Sequence, residues 1–135
     1  RVALRQAGQV LRALAVLGVI VLVLPPSDLG DPLVRQEVAR LETGYRLGRL
    51  LVYREVLRQA PAGFSAATKA YCTEHEQRVA EFCFRAFGAD ATLWDDDVKG
   101  LVYGPAYTIM GGTSNVMRNI LGERVLGLPR EPRRA

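Results

Sequence analysis

Gly111-Gly112-Thr113-Ser114-Asn115 is the stretch of this sequence whose residue types and order could do chemistry. Paired glycines let a ligand approach the backbone. A helix opening at Thr113 or Ser114 would present its first-turn amides and the positive end of its dipole. Such an end can hold a phosphate or another anion; the plainer alternative is a flexible loop followed by a helix cap. Cys72 and His75 stand three apart and could share a metal, but two ligands make no site, and no metal is expected. Asp95-Asp96-Asp97 could bind a cation, although solvation or helix capping explains it more simply. Cys72 and Cys83 are separated by roughly 16 Å along one helix at ~1.5 Å per residue, beyond disulfide reach, so both are expected as buried thiols in a reducing compartment.

These residues need elements to position them, and the pattern predicts helices. Asp31 suits an N-cap and Pro32 a first helical position. Val34, Val38, Leu41, Tyr45, Gly48, Val52 and Val56 then trace a 3.6-residue stripe for about seven turns, ending near Ala60-Pro61-Ala62-Gly63. A second helix is expected after Ser65, through Ala67, Ala70, Tyr71, Val79, Phe82, Cys83, Ala86 and Phe87, with Gly88 as its C-cap. Residues 89 to 112, with Gly100, Gly104 and Pro105, read as a connector too broken for a long helix, with at most a short piece at Tyr107 to Met110. A last helix should open at Thr113 or Ser114, bury Val116, Met117, Ile120, Leu121 and Val125, and stop at Gly127-Leu128-Pro129, leaving a loose tail from Arg130. The fold class expected is all-α, an antiparallel helical bundle.

Composition narrows the partners. With 49% apolar and 24% charged residues, the chain of 135 residues is that of a globular protein and not a disordered one. The net charge is +4, yet Arg35, Arg40, Arg46, Arg49, Arg54 and Arg58 recur at helix-like intervals with Glu37, Glu42 and Glu55 among them, which describes a solvated helix face; no nucleic acid is expected. Lysine occurs only at Lys69 and Lys99. At the N-terminus, Arg1, Arg5 and Arg12 precede an apolar run from Ala13 to Leu24, too short for a bilayer span of about 20 residues. It imitates a secretory signal but lacks a small-residue cleavage site. A buried helix or strand, or a sequence disturbed upstream of Asp31, are the other readings. The expected division is an N-terminal segment 1–30, a helical domain 31–132 and a tail 133–135.

The string from Ile109 through Gly111-Gly112-Thr113-Ser114-Asn115-Val116-Met117-Arg118 to Leu126-Gly127-Leu128-Pro129 resembles the last helix of the acyl-CoA dehydrogenase family. Asp31-Pro32-Leu33-Val34-Arg35-Gln36 and Phe84-Arg85-Ala86-Phe87-Gly88 resemble the start and end of two earlier helices in that family's C-terminal bundle. The resemblance covers roughly residues 31 to 132 and implies part of a C-terminal four-helix domain. It implies FAD as cofactor, an acyl-CoA thioester as substrate, and oxidation of the α–β bond by proton abstraction and hydride transfer to flavin. It further implies an oligomer whose flavin sites are shared between chains, in the cytoplasm and not in a membrane.

Carried over by position, the resemblance gives Gly112, Thr113 and Asn115 as flavin contacts, and Arg85 and Gly88 as the helix end that meets the partner subunit's flavin. Asn115 replaces the family's frequent Gln or Glu, and Arg85 its frequent Gln. Gly111 aligns where many members hold the catalytic glutamate; glycine abstracts no proton, so the base must come from elsewhere, though the Gly111 amide can still bind the thioester carbonyl. Three functions follow: part or subunit of a flavin-dependent acyl-CoA dehydrogenase, inactive alone; a non-catalytic helical subunit completing a partner's FAD site; or a gene remnant or exported helical protein.

Overall fold

The computed structural model describes residues 30–89 and 96–130, and every regular element among them is an α-helix: α1, Pro32–Val56; α2, Ser65–Phe87; α3, Asp96–Ile109; and α4, Ser114–Arg124. The all-α expectation holds. The apolar N-terminal run, Asp95 of the acidic triplet and the residues after Arg130 lie outside the described residues.

α1 begins as its sequence dictates. Asp31 is in an extended conformation and its carboxylate accepts the Leu33 amide at 2.8 Å, while Pro32 fills a position whose missing N–H costs the helix nothing. Leu41, Tyr45, Gly48 and Val52 are buried, as the stripe predicted; Val56, its last member, is exposed. The chain leaves α1 through Arg58, which adopts a positive φ of 56°.

α2 returns antiparallel to α1. Leu41, Val79, Phe82 and Cys83 form the core cluster, with Val34, Val38 and Ala86 packed around it. Where the helices come closest, α1 offers glycine: a Cβ on Gly44 would lie 2.6 Å from the His75 ring, and one on Gly48 would meet the Cys72 sulfur at 3.4 Å. Thr68, Thr73 and His75 are buried as well, a polar contribution that apolar periodicity does not reveal.

The largest departure from expectation is α3. Residues 96–109 form a continuous helix with Pro105 inside it, where a connector was predicted. Packing explains the difference: Gly104 is buried, and a Cβ there would make ordinary contact with the Gln77 Cα at 3.6 Å, so α3 lies directly on α2 at this point. Packing on α2 thus overrides the weak helix propensity of Gly100, Gly104 and Pro105. α4 also packs on α2, with a 2.6 Å ion pair between Arg118 and Glu74, while Gly63 in the loop before α2 lies against Arg124 and Val125. Its apolar side is only half covered: Met117, Ile120, Leu121 and Val125 are intermediate in exposure, Val116 is exposed, and none reaches the burial expected, because α2 is its main packing partner among the described residues.

Candidate functional site

The turn between α3 and α4 is built from backbone conformations that only glycine adopts freely. Gly111 has φ 70° and Gly112 φ 106°. The two glycines differ in surroundings. A Cβ on Gly112 would collide with the terminal methyl of Met117, whereas one on Gly111 meets nothing within 4 Å. The side of Gly111 from which a side chain would project is therefore open.

Thr113 follows in an extended conformation as the N-cap of α4, and its hydroxyl oxygen accepts the Val116 amide at 3.2 Å. That bond leaves the hydroxyl proton available to donate. The amides of Ser114 and Asn115 occupy the first turn, where the helix itself supplies no acceptor. Asn115 is exposed, its side-chain oxygen 3.5 Å from the Arg118 guanidinium. The Ser114 hydroxyl oxygen is buried with no hydrogen-bond partner in the protein. The head of α4 thus carries several donors close to an open, positively polarised surface, a donor set that fits an anion or the polar edge of a flavin.

Sequence reasoning missed one group here. Lys69, on the first turns of α2, extends its ammonium to donate to the Gly112 carbonyl at 2.7 Å and the Thr108 carbonyl at 3.3 Å. Burial pushes its pKa below the ordinary lysine value, partly opposed by Glu74. The available signal was a lone lysine among small residues, Ala66-Ala67-Thr68-Lys69-Ala70.

Arg85 and Gly88 lie elsewhere. They sit at the far end of α2, so that Lys69 and Arg85 are roughly 24 Å apart along the axis at ~1.5 Å per residue. Gly88 takes the positive φ of 56° expected of it at the C-cap. Arg85 is exposed and borders an open cleft of about 350 Å³, with Arg40, Leu33, Val34 and Phe82 also on its walls. One chain therefore brings Gly111, Gly112, Thr113 and Asn115 together and holds Arg85 and Gly88 apart from them.

The remaining candidates do not assemble into sites. His75 is buried against Gly44 and stacks on Tyr71, whose hydroxyl donates to the Gly44 carbonyl at 3.1 Å. Burial, with Glu55 and Glu76 nearby, pushes the Cys72 thiol up to about 11, which leaves it protonated and unreactive near neutrality. Cys83 is buried and Cys72 partly so, and neither forms a disulfide. Among the described residues no group of three or more His, Cys, Asp or Glu side chains is placed to hold a metal, and no helix is long and apolar enough to cross a membrane.

Comparison with known proteins shows the family and the fold. Residues 28–126 match the family described as acyl-CoA dehydrogenase, C-terminal domain. Acyl-CoA dehydrogenase IpdE1 of Mycobacterium tuberculosis is 31% identical over 110 residues, which take in 75% of this chain and 28% of that protein. The protein of the same name from Mycolicibacterium smegmatis is 30% identical, over 75% of this chain and 27% of its own length. The chain thus spans a little over a quarter of the curated relatives it matches. Among solved structures, the Tcur3481-Tcur3483 steroid ACAD superposes with a TM-score of 0.76 at 23% identity, covering 96% of this chain and 36% of that one.

Proposed function

This chain belongs to the acyl-CoA dehydrogenase family through its C-terminal domain, and from that premise we propose that it supplies one flavin-facing helix end and the thioester-binding backbone of a flavin-dependent acyl-CoA dehydrogenase. The observation that carries the reading is the Gly111-Gly112 turn leading into the capped, donor-rich head of α4. In this assignment Thr113 donates its hydroxyl proton to the flavin edge while its oxygen keeps the Val116 amide, and Asn115 adds a polar contact. The Gly111 amide donates to the thioester carbonyl and stabilises the negative charge that grows there as the α-proton leaves. Bound FAD supplies the hydride acceptor.

Arg85 and Gly88 lie far along α2 from Thr113, which agrees with the family resemblance that assigns them to a partner subunit's flavin. Arg85 lines a cleft that also holds the Arg40–Glu37 ion pair, and its guanidinium is the group there suited to a flavin's polar or phosphate atoms. The base is a carboxylate from outside Gly111, either on another part of a longer polypeptide or on a partner subunit. A second reading has its own support: the open, side-chain-free position of Gly111 suits a subunit that completes a partner's FAD site without abstracting a proton itself.

Co-expression with the remaining domains or partner subunits of an acyl-CoA dehydrogenase tests both readings. The expected result is co-purified FAD that is diminished by Thr113→Val and retained by Thr113→Ser. Turnover of acyl-CoA thioesters separates the two, with steroid acyl chains tried beside straight ones because the structural neighbour is a steroid ACAD. An assembly that forms but carries no flavin sinks both.

A further inference from the structure

We infer that Lys69 is the positioning residue of the Gly111-Gly112 turn: its ammonium ties the carbonyls of Thr108 and Gly112 to α2 and thereby fixes the direction in which the Gly111 amide and the head of α4 face. The inference rests on the thioester and flavin roles proposed above for that turn.

Gly111 and Gly112 both hold positive φ values, and glycine's freedom means that their own torsions do little to select this conformation over others. Within the turn, Met110 donates back to the Ala106 carbonyl and thereby ends α3, and the next bond along the backbone is the one that opens α4, from Met117 to Thr113. The segment between needs an external tie if its amides are to point one way. Lys69 provides it from a different element, with one contact before the glycine pair, at Thr108, and one on its second member, Gly112.

The distribution of those contacts distinguishes positioning from ordinary helix capping. A lysine that only satisfied the end of α3 would need Thr108, the penultimate residue of that helix. The shorter bond, 2.7 Å against 3.3 Å, goes past the helix end to Gly112, adjacent to the N-cap Thr113. The Lys69 end of the tie is itself anchored, because its residue lies within α2 and the Thr73 hydroxyl donates to the Lys69 carbonyl at 2.9 Å. Charge-assisted bonds from a partly desolvated ammonium are among the stronger hydrogen bonds available, and the lowered pKa of Lys69 accords with that desolvation.

The test uses the chain assembled with its flavin-bearing partner domains. Lys69→Met keeps the side chain as far as Cε and removes its donors; Lys69→Arg keeps donors and charge. In the Met variant, amide hydrogen exchange across residues 108–117 should accelerate by roughly ten- to a hundredfold, the loss expected of a charge-assisted bond, while α1 exchanges as before. Perturbation of the flavin spectrum by a non-reactive acyl-CoA thioether should weaken in parallel, and Lys69→Arg should recover part of both. Unchanged exchange at 108–117 in the Met variant overturns the inference. Should that variant not fold, the unmutated protein decides: a through-hydrogen-bond coupling between isotope-labelled Lys69 Nζ and the Gly112 carbonyl carbon is expected, and an ammonium that exchanges freely with water and lacks this coupling overturns it. If the parent assembly binds neither flavin nor thioether, the proposed function fails, yet the exchange and coupling measurements still judge the tie.

Discussion

Gly44 lies beneath the His75 ring with no room for a methyl group, so Gly44→Ala must push α1 off α2 or drive the imidazole from its place. The expected cost is about 1–3 kcal/mol, read as a lower urea midpoint. His75 itself makes stability depend on pH. Burial first and Arg78 second hold its pKa below the ordinary 6.5, with a hydrogen bond to the Leu41 backbone working the other way. Between the folded and unfolded values the unfolded chain binds the extra proton, so this contribution is complete above the unfolded value and is lost as the pH falls from there towards the lowered one. Urea midpoints should therefore fall between about pH 7.5 and about pH 5, and His75→Gln should flatten that portion of the slope. At Thr113 two effects separate. Thr113→Val removes the N-cap acceptor, costing about 1 kcal/mol in thermal unfolding, whereas Thr113→Ser keeps it.

The helices differ in how far their own residues specify them. α1 carries its start signal in Asp31-Pro32 and its buried face in a regular stripe, and the cap of α4 and the C-cap glycine Gly88 are equally plain in the sequence. The caps were legible because each depends on residues within one turn, and the stripe because its period repeats along a single helix. α3 was not, since Gly100, Gly104 and Pro105 argue against a helix when read alone and only the surface of α2 argues for one. The Lys69 contacts were hidden for a related reason: they join residues about forty positions apart, and no spacing rule reaches that far. Gly104 offers a test with an unusual sign. A Cβ there would make ordinary contacts with Gln77 at 3.6 to 3.8 Å, and its φ is not positive. Gly104→Ala should accordingly stabilise the protein by about 0.5–1 kcal/mol in chemical unfolding through helix propensity. Gly104→Leu should destabilise it by prying α3 from α2.

The molecule is arranged around α2, on which α1, α3 and α4 each pack. α1 shows the consequence for surface: Leu47, Leu50 and Tyr53, with Leu57 at the C-cap, are exposed on the side opposite Leu41, Tyr45 and Val52, so the helix has a second apolar face. Expressed by itself, the chain should self-associate and bind a hydrophobic dye; a monodisperse monomer in light scattering would count against its being one part of a larger bundle. The hub has a further consequence, for tolerance to insertion and deletion. α2 carries the Lys69 tie near one end and Arg85 and Gly88 at the other, so its length and winding set both the spacing and the relative orientation of the two ends. Removing a single residue between Thr73 and Phe82 would draw them about 1.5 Å closer and rotate one against the other by about 100°. The same deletion among Gln59, Ala60 and Ala62 would alter neither. The central helix is in that sense a screw gauge, and indels confined to the loop before it leave the setting unchanged.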